Sequence, residues 1–376
     1  MREKSVISIG ARGRAEAARR ASRDDSKTRG DARARHTPTR RRRRRRTTRM
    51  SRGASARGAV LTRRAARVVS NARARAAMAR ALSNAERLQP RVDACNEITA
   101  ADHAKYVPFV VDGHAVGALQ PWFADELLGA SGSGTLERDA SGTVVFAREL
   151  DTPDKRTDAL RPALEALRDK GVITGWRDEI FPVTMGYGVP PLLRVERAAA
   201  SLLGVRAYGV HVNGFVTLPD GTKELWVGKR AKNKQTFPSK LDHLVAGGLP
   251  DGMPPSVCVV KECGEEASVP ESLAKNATAV GAVSYSMNYQ GCCKRDVLFC
   301  YDLELPLDFV PTPDDGEVES FERYEISKVI DIMATTEDFK PNCCLVIIDF
   351  CVRHGFITPD EPGYVKLVQS LRVGND

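Results

Sequence analysis

The sequence predicts an α/β sandwich on a mixed sheet in its second half, preceded by a small α+β accessory domain. Three observations carry this expectation. Strand-like runs interspersed with a few helical patterns fill the chain from about residue 205, the mix a layered α/β domain requires. Two turn signals, Asp112-Gly113 and Pro219-Asp220-Gly221-Thr222, sit between apolar runs as hairpin turns do. The composition changes near Leu88, from an arginine-rich tail to a balanced globular mixture. The expected organisation is a disordered basic tail over 1–88, the accessory domain over 89–204 and the sandwich over 205–376.

Charge separates tail from body. Of the 57 Lys+Arg and 48 Asp+Glu, residues 1–90 hold 28 and 6, a net of +22, so the remainder holds 29 and 42, a net of −13. A negative body does not attract polyanions by bulk charge, and any phosphate it binds needs a local site or a bridging cation. The tail contains "RRRRRRR" at 40–46 and few acids or aromatics. Such a segment buries too little apolar surface to offset chain entropy. Its arginines fit a nucleic-acid arm, but an Arg- and Ser-rich, acid-poor N-terminus is also the composition of an organelle transit peptide. From Met50 to Leu82 there is no acidic residue, and that stretch alone makes a conventional leader, with Met50 as an alternative start. The targeting reading is preferred, with the chloroplast first and the mitochondrion second. No run of 18 apolar residues occurs, so no membrane span is expected.

In chain order, "YVPFVVDGHAVGAL" (106–119) reads as a hairpin and "GTVVFAREL" (142–150) as a further strand. "TPDKRTDALRPALEALRDKGV" (152–172) has helical spacing with Gly171 as its stop, and "PPLLRVERAAASLLG" (190–204) reads as a second amphipathic helix. Beyond it, "VRAYGVHVNGFVTL", "TKELWVGKR", "LDHLVAGG", "NATAVGAVSYSM", "KRDVLFCYDLEL" and "EVESFERYEI" read as strands, and "SKVIDIMATT" and "CCLVIIDFCVRHG" as helices. The nine cysteines include two adjacent pairs but no CxxC, and most lie in apolar runs. They read as reduced core thiols rather than as a disulfide framework or a zinc site.

The chemistry concentrates in "AGGLPDGMPPSVCVVKECGEEASV" (246–269). A helix capped by Ser256, behind Pro254 and Pro255, places Glu262, Glu265 and Glu266 at i, i+3 and i+4 on one face. The same helix gives Val257, Val260, Cys263 and Ala267 an apolar stripe. Like charges at this spacing repel by a few tenths of a kcal/mol per pair, and a hard divalent cation reverses that sign. Gly247-Gly248 lets backbone approach the site closely. A solvated acidic face is the alternative reading of the glutamates alone.

The segment resembles the Nudix box, Gly-x5-Glu-x7-Arg-Glu-U-x-Glu-Glu-x-Gly-U with U aliphatic. Gly247 matches its first glycine, Glu262, Glu265 and Glu266 its three metal-binding glutamates, and Val269 its last aliphatic position. Met253 replaces the first glutamate, Lys261 the arginine and Ser268 the second glycine, while Cys263 takes the inner aliphatic position. Longer segments, including "WVGKRAKNKQTFPSKLDHLVAGGLP" and "NCCLVIIDFCVRHGFITPDEPGY", look like plant chloroplast and fungal Nudix hydrolases related to the Nudix portion of thiamine pyrophosphokinase fusions. That resemblance covers about three quarters of the chain from near residue 90.

The resemblance implies Mg²⁺-dependent hydrolysis, with Mn²⁺ as an alternative, of a small-molecule diphosphate to a monophosphate and inorganic phosphate. Thiamine diphosphate and its oxidised forms are the implied substrates. Glu262, Glu265 and Glu266 would serve as catalytic and metal-binding residues, joined in the metal set by Gly247 and by Glu317, with Glu319 behind it. Candidate substrate contacts are Lys229, Arg230, Lys234 and Arg295, with Lys294 weaker, and Tyr285 and Tyr289 for a heterocycle. Asp242 and His243 support the metal shell or close a turn. Two other readings stay open: a Nudix hydrolase of ADP-ribose or nucleotide sugars, and a non-catalytic Nudix-like RNA-binding protein. No stable nucleic-acid partner is expected on the first two readings, and monomer and homodimer are both compatible with the sequence.

Overall fold

Period-two alternation organises the larger sheet. In the strand Lys223–Arg230, Leu225 and Val227 enter one apolar cluster and Trp226 the other. Phe215 and Val216 divide in the same way, as do Leu298 and Cys300 against Val297 and Tyr301. A sheet that buries both faces needs a layer on each side, and the computed structural model, which describes residues 82–374, supplies both.

The strands run in the spatial order Thr278–Tyr289, Cys292–Glu304, Arg206–Thr217, Lys223–Arg230 and Val318–Glu325. Cys292–Glu304 lies parallel to Arg206–Thr217, and the other neighbours are antiparallel. Two short strands, Leu241–Asp242 and Val245–Gly248, complete the seven by pairing with Lys223–Arg230 and Arg206–Thr217. The helix Pro255–Ala267 covers one face of this mixed sheet. Helices Ile326–Thr335, Pro341–Arg353 and Tyr364–Ser370 cover the other. The result is an α/β/α sandwich, in keeping with the expected α/β sandwich on a mixed sheet.

A helix from the N-terminal part joins that second layer. Asn84–Cys95 begins at a capping box, in which Ser83 and Glu86 satisfy each other's backbone N–H groups. Its Ala85, Leu88, Val92 and Cys95 are fully buried in the sandwich core. Ser83 Oγ donates to the carbonyl of Pro362 at 2.6 Å, and Ala85 N donates to Glu361 Oε2 at 3.1 Å. Ordered helix therefore starts before Leu88, where the composition alone placed the change. The arginine run and the leader-like stretch from Met50 lie outside the described residues.

Upstream of the sandwich, a four-stranded sheet runs His114–Leu119, Val107–Val111, Val144–Phe146, Leu136–Arg138. The hairpin turn has positive φ at both Asp112 and Gly113, as a tight two-residue turn requires. Val144–Phe146 pairs in parallel with Val107–Val111. Helix Pro153–Asp169 packs on this module with Leu160, Leu164 and Leu167 inward. The expectation of one helix over 190–204 needs correction. Leu193–Glu196 is a strand paired with Ile180–Val183, and only Arg197–Leu203 is helical, ending at a left-handed Gly204. Leu193 and Val195 alternate inward, so pairing to the neighbouring strand overrides the helix-forming composition.

Candidate active site

The helix Pro255–Ala267 carries the acidic face. It starts with Pro255 at its first position, where the missing N–H costs nothing. The cap residue is Pro254, without a side-chain hydrogen bond, and not Ser256 as the spacing suggested. The apolar stripe is also shifted. Cys258, Val259, Cys263 and Ala267 are buried, with Val260 packed partly against them, whereas Val257 is exposed. At the C-terminus Ser268 adopts a left-handed conformation (φ 50°), the backbone geometry a glycine ordinarily supplies. Its hydroxyl donates to the carbonyl of Thr312 at 2.9 Å.

The three glutamates occupy graded environments. Glu266 is buried, accepts the Ala246 N–H at 2.9 Å, and is pushed up to about 8 by burial. Glu262 is largely buried, and burial raises its carboxyl as well. Glu265 is half exposed. Gly247 explains how Glu262 fits: a Cβ there would stand 2.4 Å from the Glu262 Cδ. The Lys261 ammonium bridges Glu262 at 3.2 Å and Glu265 at 2.5 Å. A cationic group thus already sits against the oxygens a hard divalent ion would bind, and the donor set is all carboxylate, with backbone carbonyl nearby. The residues fit such an ion.

Glu317 is ion-paired to Lys234, which also feels the charge of Glu266, and lies 3.7 Å from Arg177. Burial pushes the Glu317 carboxyl up, but Lys234 and the nearby arginines outweigh it and hold it below its ordinary value. Glu319 pairs instead with Lys229 at 3.3 Å.

The expected substrate contacts divide. Tyr289 lines a cavity of about 420 Å³ together with Phe237, Lys294, Asp296 and the edge Gly247-Gly248. The rings of Phe237 and Tyr289 lie 5.1 Å apart. Tyr285 is not placed to stack on anything: it is fully buried, with its hydroxyl on Asp296 and Asn342. Alternation along Cys292–Glu304 turns Lys294 and Asp296 to the cavity, whereas Arg295 does not line it and stands instead close to Tyr208 and Cys293. Lys229 and Lys234 do not line the cavity either. Arg230 holds the chain itself, reaching Asp242 at 2.8 Å and the carbonyls of Phe237 and Thr236.

Asp242 and His243 belong to a second buried group, with His211 and Cys343, whose ligand atoms lie within 4.8 Å of one another. Asp242 already neutralises Arg230 and Lys340 and accepts the Cys343 thiol hydrogen at 2.7 Å. Burial leaves both imidazoles neutral, His243 falling to about 4. Adding a dication beside that arginine and lysine would bury uncompensated positive charge. This group is a structural charge network that reaches the cavity wall through His211 and Lys340.

Sequence reasoning missed Arg177 and Arg197, which line the same cavity from upstream of the sandwich. Arg197 pairs with Glu179 at 2.5 Å and lies over the Phe181 ring. Neither arginine falls in the box, and nothing in their local spacing marks them.

A mixed-sheet sandwich with a glycine edge against a helix of clustered carboxylates fits a hydrolase that holds a divalent cation. Comparison with known proteins narrows this class. The profile described as "Domain of unknown function (DUF4743)" matches residues 87–207. Nudix hydrolase 20, chloroplastic, of Arabidopsis thaliana is 45% identical over 288 residues, covering 75% of this chain and 76% of that protein. Nudix hydrolase 24, chloroplastic, of the same plant is 46% identical over 287 residues, covering 76% and 77%. Among solved structures, DR0079 from Deinococcus radiodurans aligns at 20% identity with a TM-score of 0.35, over 46% of this chain and 98% of that one. The chain belongs to the Nudix hydrolases.

Proposed function

We propose that this hydrolase cleaves thiamine diphosphate and its oxidised forms, with Mg²⁺ as the metal, releasing the monophosphate and inorganic phosphate. The observation that carries this reading is the composition of the cavity. Beside the box glycines its lining includes the rings of Tyr289 and Phe237, 5.1 Å apart, with Phe181, Tyr208 and Trp122 also at the wall and Asp296 paired to Lys294 at 2.8 Å. Flat rings suit a positively charged heterocycle better than a neutral sugar.

Glu262, Glu265 and Glu266 would hold the cation, with Glu317 and the Gly247 carbonyl as further candidate ligands. The bound ion supplies charge neutralisation for the diphosphate and a more acidic water. One glutamate of the set takes the proton from the attacking water. Lys294, paired to Asp296 at 2.8 Å, stands at the cavity wall, and Lys234 keeps Glu317 oriented.

The test is Mg²⁺-dependent phosphate release across thiamine diphosphate, oxythiamine diphosphate, ADP-ribose and a nucleotide sugar. The thiamine-type compounds are expected to have the highest kcat/KM, and far faster turnover of the nucleotides would overturn the assignment. We also propose chloroplast targeting. It is supported by the acid-poor, arginine-rich leader composition and by the two relatives named chloroplastic. A fluorescent protein carrying residues 1–90 is expected in plastids, and accumulation in mitochondria would refute this.

A further inference from the structure

We infer that the segment matched as a domain of unknown function builds part of the substrate site, with Arg177 and Arg197 as its diphosphate-binding cations. The inference rests on the diphosphate chemistry proposed above but not on the identity of the heterocycle.

Geometry places both arginines at the reacting end. Gly248 has no room for a side chain because a Cβ would meet Arg197 Cζ and Phe181 Cζ at 2.9 Å each. Its neighbour Gly247 is closed in the same way by Glu262. The glycine pair therefore has a metal-site carboxylate against one residue and a guanidinium against the next. Arg177 reaches Glu317 at 3.7 Å, a loose contact for an ion pair. Both arginines are only partly exposed, and both line the cavity.

The sandwich itself provides few fork-shaped donors here. Arg230 is committed to Asp242 and two carbonyls, and Arg295 does not line the cavity. Among the described residues, a diphosphate lying along the glycine edge would meet guanidinium groups only from the upstream module. Guanidinium matches a phosphate with two parallel N–H donors, which an ammonium such as Lys294 does not. A cation engaging Glu317 would also release Arg177 toward the phosphates. The matched segment thereby completes a site that the metal-binding half leaves short of anion donors.

The experiment is equilibrium binding of imidodiphosphate, whose P–N–P bridge resists hydrolysis, to the full chain with Mg²⁺, read by calorimetry. Arg177→Ala and Arg197→Ala are each expected to weaken binding about tenfold or more, as loss of a charge-assisted contact does. Glu179→Gln frees Arg197 from its partner and is expected to leave binding unchanged or tighter. Exposed Arg161→Ala serves as the unaffected control. If Arg197→Ala does not fold, Arg197→Lys keeps the charge without the fork and is expected to bind less tightly. Wild-type-like affinity in the arginine variants overturns the inference. So does a loss in Glu179→Gln equal to that in Arg197→Ala, because the arginine's role is then structural. No imidodiphosphate binding by the wild type also overturns it. A wrong heterocycle in the substrate panel leaves all these readouts intact, so the two readings fail separately.

Discussion

At the residue scale, Glu266 is the carboxylate whose removal is cleanest to interpret. Its amide counterpart is isosteric and still accepts the Ala246 N–H, so Glu266→Gln keeps the local hydrogen bond. Phosphate release by that variant is expected to fall about a hundredfold or more, with a melting temperature no lower than the wild type. Asp302 supports a pH prediction. Burial pushes its carboxyl up, but donors from Arg353 at 2.5 and 3.0 Å, His354 and Asn213 outweigh this and hold it below the ordinary range. A depressed folded value means the stabilisation is present above the unfolded value of about 3.9. It is lost as pH falls through the folded value. Asp302→Asn is expected to cost about 3 kcal/mol at pH 7. Its deficit against the wild type in urea titrations should shrink steadily below pH 4. At this scale the three glutamates were legible because helical spacing alone puts them on one face. Arg177 and Arg197 were not, because they reach the site through tertiary packing from far upstream.

At the element scale, the helix Pro255–Ala267 ends on a residue that works against its own backbone. Ser268 holds a left-handed conformation that costs a non-glycine residue about 1–2 kcal/mol, and its hydroxyl bond to Thr312 offsets part of that. A β-branched residue loses the bond and fits the conformation worse. Ser268→Val is expected to destabilise by about 2 kcal/mol or more, whereas Ser268→Gly should be neutral or stabilising by chemical denaturation. Most sandwich strands were legible from alternation. Local pattern misleads where two signals overlap. Leu193–Glu196 is a short alternating strand fused to an alanine-rich helix, and helical composition dominates there. Asn84–Cys95 announces itself only through Ser83 and Glu86, at the end of a tail whose composition argues for no structure.

At the scale of the molecule, the sandwich core is not closed by its own half of the chain. Leu88 and Val92 fill positions between the helices Ile326–Thr335, Pro341–Arg353 and Tyr364–Ser370. A fragment of residues 205–376 is therefore expected to expose this apolar face and to aggregate on expression, whereas one of residues 82–376 should unfold cooperatively. A soluble, fully active 205–376 fragment would contradict this. Leu88→Ala in the full chain should cost about 2–5 kcal/mol in urea unfolding. The α/β sandwich and its mixed sheet were legible in the sequence. The borrowed helix was not, since no local pattern says which core a helix will join.

That helix also bears on how the protein is made. Its long-range hydrogen-bond partners, from Met333 against Arg91 to Ser370 against Gln89, lie 242 to 281 residues further along the chain. Contacts so distant form late and slowly, because a long loop must close before they reward it. During synthesis the ribosome must pass Ser370 before the first described helix can dock fully. Until then the nascent chain carries an incomplete core, open to chaperones and, where a leader directs it to an organelle, still suited to being threaded through a membrane.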